Sequence, residues 1–116
     1  MEGGSAVDDL NELQGICFEI ISYVGTAKSC YINAVAKAKE GDFDAAADLI
    51  AQGDTAYSGG HGVHMKLLQA EAAGERASEA APLILLHAED QMAGAEMAKL
   101  MAQNFIDVYR ELRALK

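Results

Sequence analysis

The sequence predicts an all-α protein, an antiparallel three-helix bundle with long helices in a single domain that covers residues 1–116. The composition favours helix, with a single proline and no tryptophan and many Ala, Leu, Met, Glu and Lys residues. Apolar residues recur in alternating steps of three and four, the spacing of a helix packed along one face. No stretch shows the apolar–polar alternation between turns that is typical of a strand. A chain of 116 residues corresponds to about one domain.

The first helix is predicted over about residues 8–39, with Asp8 or Asp9 as its N-cap. Gly25 lies inside it and is expected to permit a close helix approach or a kink. Gly41 suits the left-handed position after a helix, and Asp42 suits the N-cap of the next helix. The predicted buried seam is Leu10, Leu13, Cys17, Ile20, Val24, Ala27, Tyr31, Ala34 and Ala38.

The second helix is predicted over about residues 42–73. Gly59, Gly60 and Gly62 cost roughly 3 kcal/mol of helix propensity if their effects add. Either the helix bends or opens at these glycines, or tertiary packing overrides the penalty. The predicted seam is Phe43, Ala46, Ile50, Gly53, Tyr57, Gly60, His64 and Leu67.

The third helix is predicted over about residues 82–115, after a polar connection at 75–79, because Pro82 suits a first helical turn. Two apolar seams can be followed along it. One contains Ile84, His87, Gln91, Gly94, Ala98, Met101, Phe105, Val108, Leu112 and Leu115; the other contains Leu83, Leu86, Asp90, Ala93, Met97 and Leu100. Together they form an apolar face wider than one seam, and self-association would bury the excess.

The charge and the apolar pattern exclude several classes of function. A net charge of −9 argues against nucleic acid and against anionic membrane surfaces, which bind clustered Lys and Arg. No apolar run approaches the roughly 20 residues of a membrane helix, so direct membrane insertion is not expected. The N-terminus has no secretory signal pattern. Cys17 and Cys30 share one helix at roughly 20 Å, beyond disulfide reach, which fits a reduced, cytoplasmic protein.

His87 and Asp90 are the residues of the third helix that interrupt a dense apolar run. They lie one turn apart and are therefore neighbours on the helix surface. His87 is either a core histidine with one bonded nitrogen or, if exposed, a nucleophile or ligand. Asp90 is either a polar register residue or exposed charge, or one of several carboxylates that converge from different subunits on a hard cation. The sequence pattern alone does not decide between these alternatives.

His61 and His64 are spaced for two ligands on one helix face, although no carboxylate or cysteine lies near them in sequence. A structural role is the simpler interpretation. A metal-binding bundle that uses His61, His64, His87 and Asp90 is kept as a further hypothesis.

Three blocks of the sequence resemble the enzyme IIA component of the lactose/diacetylchitobiose (cellobiose) branch of the bacterial phosphoenolpyruvate-dependent sugar phosphotransferase system. Residues 15–29, GICFEIISYVGTAKS, resemble G-F-E-I-x-x-x-G-x-A-[RK]-S with extra spacing before Phe18. Residues 38–46, AKEGDFDAA, resemble A-x-x-G-D-F-x-x-A. Residues 87–92, HAEDQM, resemble H-[GA]-Q-D-H-L-M. The likeness runs from about Leu10 to Leu115.

The resemblance implies a homotrimer of three-helix bundles. It implies that His87 accepts a phosphoryl group from the carrier HPr and passes it to the IIB component, for uptake of a β-disaccharide such as lactose, cellobiose or diacetylchitobiose. It also implies that Asp90, contributed three times near the trimer axis, binds one Mg²⁺ per trimer.

The chain departs from the family pattern at several positions. Glu89 replaces a glutamine, Gln91 replaces a second histidine, and Gly60-His61-Gly62-Val63-His64-Met65 replaces A-H-x-x-Q-T. These departures motivate a second hypothesis, a non-catalytic helical adaptor or regulator that kept the bundle and lost phosphoryl transfer.

Overall fold

Three long helices, joined in chain order, make up the fold. The computed structural model describes residues 6–74 and 82–115. Helix α1 spans Ala6–Lys39, α2 spans Phe43–Ala72 and α3 spans Leu83–Ala114. No residue of these two segments lies in a strand, so the predicted all-α class and the three long helices are confirmed. None of the described helices is both long and apolar enough to cross a membrane.

The helices run up, down and up, with α1 in the middle. Tyr31 of α1 lies against Gly53 of α2, and Tyr23 lies against Gly59, so α1 and α2 are antiparallel. Helix α3 runs parallel to α1, because the Lys28–Gln91 contact near its start is followed by an Arg113–Lys39 contact at its end. Helix α1 packs along both neighbours, whereas α2 and α3 meet each other at few points.

The helix ends differ from the predicted ranges by at most two residues. Helix α1 begins at Ala6, so Asp8 and Asp9 lie inside the helix and the predicted N-cap there is wrong. Gly41 has φ 87°, and Asp42 caps α2 by accepting a hydrogen bond from the Ala45 backbone N–H at 3.1 Å, so both predictions for this turn are confirmed. The predicted polar connection at 75–79 lies outside the described residues.

The seam predicted on α1 is the centre of the core. Every member from Leu13 to Ala38 is buried, whereas Leu10 at its start is 42% exposed. Residues of α1 belong to all three apolar clusters of the described structure. Cys17 and Cys30 form no disulfide, as predicted from their separation.

Gly53, Gly59 and Gly60 of α2 are contact points with α1. Helix α2 continues unbroken through 59–62, so packing overrides the propensity cost. A Cβ at Gly53 would lie 2.5 Å from Cε1 of Tyr31, and one at Gly59 would lie 2.6 Å from Cε1 of Tyr23. The bare backbone of α2 therefore lets two tyrosine rings of α1 lie directly on it. Gly25 has no such neighbour within 4 Å, so of the two alternatives predicted there, a close approach or a kink, the close approach is wrong.

Helix α3 buries a different face from either predicted seam. Its buried residues are Ala88, Met92, Ala95, Ala102 and Ile106, none of which belongs to the two predicted seams. Three of the five are alanines, which let α3 approach α1 closely but give a weak apolar signal in sequence. The larger apolar side chains point outward and are 45% to 83% exposed: Leu83, Leu86, Met97, Leu100, Met101, Phe105, Val108, Leu112 and Leu115. We refer to this surface as the outer face of α3.

The contact between Gly53 and Tyr31 makes a paired test of the α1–α2 packing possible. Tyr31 is 1% exposed and cannot move aside, so Gly53→Ala overpacks the core at a typical cost of about 1–3 kcal/mol. We expect a net loss in the free energy of unfolding, because the gain in helix propensity is only about 1 kcal/mol. Gly62→Ala meets nothing within 4 Å and should stabilise the same helix. Urea unfolding followed by circular dichroism, at one protein concentration, compares the variants. If Gly53→Ala were as stable as Gly62→Ala, the glycine would not be required by the contact.

Candidate functional site

His87 lies in the second turn of α3 with its imidazole exposed. It takes part in no hydrogen bond or ion pair with any described residue, and it is not among the buried residues of α3. The exposed side chain rules out the core-histidine interpretation for the isolated chain. An accessible ring with an unengaged nitrogen is what nucleophilic chemistry requires.

Asp90 lies one turn further along, on the outer face of α3. Its side chain is exposed and makes no ion pair within the described segments. Leu86 and Met97, one turn before and two turns after it at helical spacing, are 55% and 58% exposed. The carboxylate therefore projects from an apolar surface that no other part of the described chain covers.

On the side away from Asp90, the turn that contains His87 faces α1. Gln91, one turn after His87, accepts a hydrogen bond from Nζ of Lys28 at 3.0 Å. The same Nζ lies 3.5 Å from the position that a Cβ would take at Gly94. His87, Gln91 and Gly94 follow helical spacing, so they share one edge of α3. The Lys28 ammonium lies on that edge.

Glu89, which the sequence placed close to His87, is bound to α2. Its Oε1 lies 2.5 Å from Nε2 of His64, whose side chain is only 14% exposed. Positions two apart on a helix do not face each other, so this carboxylate is held on the side of α3 away from His87. The two residues that replace glutamines of the family pattern, His64 and Glu89, are thus partners in this structure.

Polar side chains bridge α2 and α3 further along the helices, a feature that the sequence analysis missed. Asp54 accepts hydrogen bonds from the Tyr31 hydroxyl at 2.7 Å and from Nζ of Lys99 at 2.9 Å. The Tyr57 hydroxyl donates to Glu96. The only sequence signal for these bonds was the presence of charged residues beside each apolar seam. That signal does not show which residue pairs with which across the helices.

These bridges line a cavity of about 380 Å³ between the helices. Its lining residues are Tyr31, Asp54, Tyr57, Ser58, Ala95, Glu96 and Lys99. Burial, followed by the hydrogen bond to Asp54, raises the pKa of Tyr31 well above its ordinary range. Burial and the bond to Glu96 raise the pKa of Tyr57 to about 12. Both hydroxyls therefore keep their protons near neutral pH and act as donors to the carboxylates.

The structure does not bring the four residues of the metal-bundle hypothesis together. His64 is paired with Glu89, and the ring of His61 stacks on Tyr57 with centroids 6.0 Å apart. The described residues contain no group of three or more His, Cys, Asp or Glu side chains placed to hold a metal ion. At Asp90, a single chain therefore provides only one carboxylate ligand for a metal ion.

Comparison with known families assigns most of the chain. Residues 15–110 match the model of the family described as the lactose/cellobiose-specific IIA subunit of the PTS system. The matched segment contains all three of the sequence blocks described above, and it includes His87, Asp90 and Lys28.

Individual relatives agree with the family model. The chain is 34% identical over 95 residues to the oligo-beta-mannoside-specific EIIA component of the PTS in Bacillus subtilis (strain 168), with 82% of this chain and 84% of that protein covered. It is 32% identical over 101 residues to the lichenan-specific phosphotransferase enzyme IIA component of the same strain, with 87% and 90% covered. The crystal structure of the PTS cellobiose-specific enzyme IIA from Bacillus anthracis superposes with a TM-score of 0.82 at 32% identity, covering 86% of this chain and 90% of that chain.

Proposed function

Because the chain belongs to the family of lactose/cellobiose-specific IIA subunits of the phosphotransferase system, we propose that His87 is its phosphoryl acceptor. Components of this family carry phosphoryl groups and are transferases. The chain takes the group from HPr and delivers it to the IIB component. The observation that carries this proposal is the imidazole of His87, which is exposed and forms no hydrogen bond with a described residue, inside the matched segment.

The transfer requires little covalent chemistry from the rest of the protein. The lone pair of a neutral ring nitrogen of His87 attacks the phosphorus of the donor's phosphohistidine. The new N–P bond forms as the donor's N–P bond breaks, and the electron pair of that bond returns to the donor imidazole. Nothing is oxidised or reduced. Catalysis then consists of in-line positioning and stabilisation of the phosphoryl charge.

The transported sugar is a β-linked oligosaccharide under this proposal. The similar proteins are named for oligo-beta-mannoside, lichenan and cellobiose, all of which are β-linked. The protein works in the cytoplasm, where the phosphoryl relay operates. Its net charge of −9 favours encounter with partners that present a basic rim.

Phosphorylation by phosphoenolpyruvate with enzyme I and HPr tests the role of His87. Wild type should gain an acid-labile phosphate, and His87→Ala should lose all of it with unchanged helix content, since the side chain is exposed and packs in no buried cluster. His61→Ala is the matched control, because it removes another exposed histidine and should label normally. Labelling of the His87→Ala variant would contradict the proposal. A folded wild-type protein that took no phosphate at all would favour the non-catalytic adaptor instead.

Assembly as a homotrimer is part of the same proposal. The outer face of α3 exposes nine large apolar residues, an arrangement that marks an interaction surface on a soluble protein. Asp90 and His87 lie on and beside this face, so a trimer built on α3 would place them near its axis and in a cleft between subunits.

A charge on the outer face of α3 should separate the subunits. Met97→Glu places a carboxylate on a side chain that is 58% exposed in the single chain, and burying it between subunits is costly. Met65→Glu is the matched control on α2, at a side chain that is 38% exposed. Light scattering after size exclusion should give the mass of three chains for wild type and Met65→Glu, and a smaller mass for Met97→Glu. Three unchanged masses would exclude this face from the interface.

One Mg²⁺ per trimer, held by three copies of Asp90, completes the proposal. Carboxylate oxygens suit this cation, and the exposed Asp90 has no cation partner among the described residues. The ion would offset the repulsion between three converging carboxylates. It needs no part in the transfer at His87.

Removal of the metal should weaken the wild-type trimer alone. A ligand at a concentration of 100 times its Kd contributes about 2.7 kcal/mol of stability, so EDTA should lower the Tm by several degrees. Asp90→Asn should melt at the same temperature with and without EDTA, because it has no carboxylates to neutralise. A wild-type Tm that is insensitive to EDTA and to added Mg²⁺ would argue against the site.

A further inference from the structure

We propose that Lys28 is the cation that binds the phosphoryl group carried by His87. This inference rests on the proposed function of His87 and adds a second residue, from another helix, to the same site. It follows from three features of Lys28: its unneutralised charge, its half-buried position and the direction in which its side chain reaches.

Among the described residues, Lys28 is the half-buried lysine that lacks a carboxylate partner. Of the lysines whose side chains are described, Lys28 and Lys99 are the two that are not exposed. Lys99 is paired with Asp54 at 2.9 Å, whereas the ammonium of Lys28 donates to the neutral amide oxygen of Gln91 at 3.0 Å and forms no ion pair within residues 6–74 and 82–115. Acidic residues outnumber basic ones by 18 to 9 in this chain. A cation that is partly desolvated without a counter-ion is costly unless an anion binds beside it.

The location of Lys28 identifies that anion. Its ammonium lies on the edge of α3 formed by Gln91 and Gly94, and His87 is one turn before Gln91 on that same edge. Residues one turn apart have Cβ atoms about 5–6 Å from each other. The other charged side chains of this turn, Glu89 and Asp90, are anionic, and Lys28 is therefore the cation placed to offset a phosphoryl group here.

The parallel arrangement of α1 and α3 directs Lys28 toward His87. Side chains on a helix lean toward its N-terminal end, and the N-terminal ends of both helices lie at the same end of the bundle. The Lys28 side chain accordingly extends from α1 toward the His87 end of α3. Gly94 leaves room for the ammonium, since a Cβ there would lie 3.5 Å from Nζ.

The chemistry of the bound state is simple. An ammonium has three donors, and Lys28 uses one of them on Gln91. The remaining donors can bind phosphoryl oxygens as charge-assisted hydrogen bonds. No proton or electron needs to move, because the lysine stays protonated and binds the group before and after the N–P bond forms. Gln91 then acts as a positioning residue, which holds the ammonium at the edge of α3 when His87 is unphosphorylated.

The test measures how much phosphohistidine accumulates at equilibrium with two donors. One donor is phosphorylated HPr at a fixed ratio, and the other is phosphoramidate, a small molecule that transfers the phosphoryl group with ammonia as the leaving group and needs no protein docking. The variants are Lys28→Met, which keeps the apolar stem, Lys28→Arg, which keeps the charge, and Lys66→Met. Lys66 is an exposed lysine of α2 with no ion pair to any residue that the structure describes, and its loss changes the net charge by the same amount.

We expect Lys28→Met to lower the equilibrium ratio of phosphorylated to free protein by about tenfold with both donors, the effect of losing one hydrogen bond to a charged group. Lys28→Arg and Lys66→Met should stay within about twofold of wild type, and the deficit of Lys28→Met should shrink in high salt because screening weakens the wild-type interaction. A purely structural role for Lys28 would show neither the rescue by arginine nor the salt dependence. Circular dichroism checks the fold, and Lys28→Gln replaces Lys28→Met if the latter is unfolded.

Three results would overturn the inference while leaving the role of His87 intact. They are a Lys28→Met variant that matches wild type in both the amount and the rate of phosphohistidine accumulation, a Lys28→Met variant that reaches the wild-type amount but does so more slowly with HPr alone, which would make Lys28 a docking residue, and an equal deficit in Lys66→Met. If the wild-type protein gained no phosphate on His87 from either donor, that result would instead contradict the proposed function and, with it, this inference.

Discussion

The close approach of α1 to both neighbouring helices is the constraint on which the rest of the structure depends. Small residues provide it on each side: glycines of α2 beneath the rings of Tyr23 and Tyr31, and Ala88, Ala95 and Ala102 on the buried face of α3. Interiors are packed closely enough that a single added methyl group is felt, so these positions fix the distances between the helices. Because α1 occupies the middle, α2 and α3 are held mainly through it and touch each other little.

The polar contacts between α2 and α3 run in register. The pairs Asp54–Lys99, Tyr57–Glu96 and His64–Glu89 descend on α3 as they ascend on α2, which is the pattern of two antiparallel helices. Exposed ion pairs contribute at most about 1 kcal/mol each. Their effect is therefore to set the alignment of the two helices rather than to stabilise the fold, and His64 also fixes where the carboxylate of Glu89 points.

On α3, alanines occupy most of the buried positions, and the larger apolar side chains lie on the outer face. The same helix thus presents a thin buried edge to α1, an apolar surface to the outside and, between the two, the edge that carries His87 and Gln91. Near His87, the exposed carboxylate of Asp90 lies on the outer face, the carboxylate of Glu89 is held by His64 on the far side of α3, and the ammonium of Lys28 lies on the edge formed by Gln91 and Gly94. The charge distribution around this histidine is therefore built from all three helices: His64 of α2 engages Glu89, and Lys28 of α1 lies on the opposite edge.

The sequence by itself determined the class of fold, the three helices with ends within two residues, the buried seam of α1 from Leu13 onward, and the seam of α2, whose members are buried or half-buried. Apolar periodicity over four or more turns is a strong signal of a helix. Gly41 and Asp42 mark the end of α1 and the start of α2 through local backbone requirements that need no tertiary contact. It also directed attention to His87 and Asp90 and to the family, which the comparisons then showed. The buried face of α3 could not be predicted, because alanine gives a weak apolar signal and the larger residues that dominate the pattern lie outside.

Only the tertiary structure decided which polar groups meet. Lys28 and Gln91 are 63 positions apart, and His64 and Glu89 are 25 apart, so no local spacing links either pair. Likewise, glycine at 53 and 59 is unfavourable for a helix alone and becomes favourable once tyrosine rings of α1 lie on it, whereas Gly25 and Gly62 have no such contact. Propensity and periodicity are properties of a single helix. Contact distances and charge pairs involve two helices, and they therefore depended on how the helices pack.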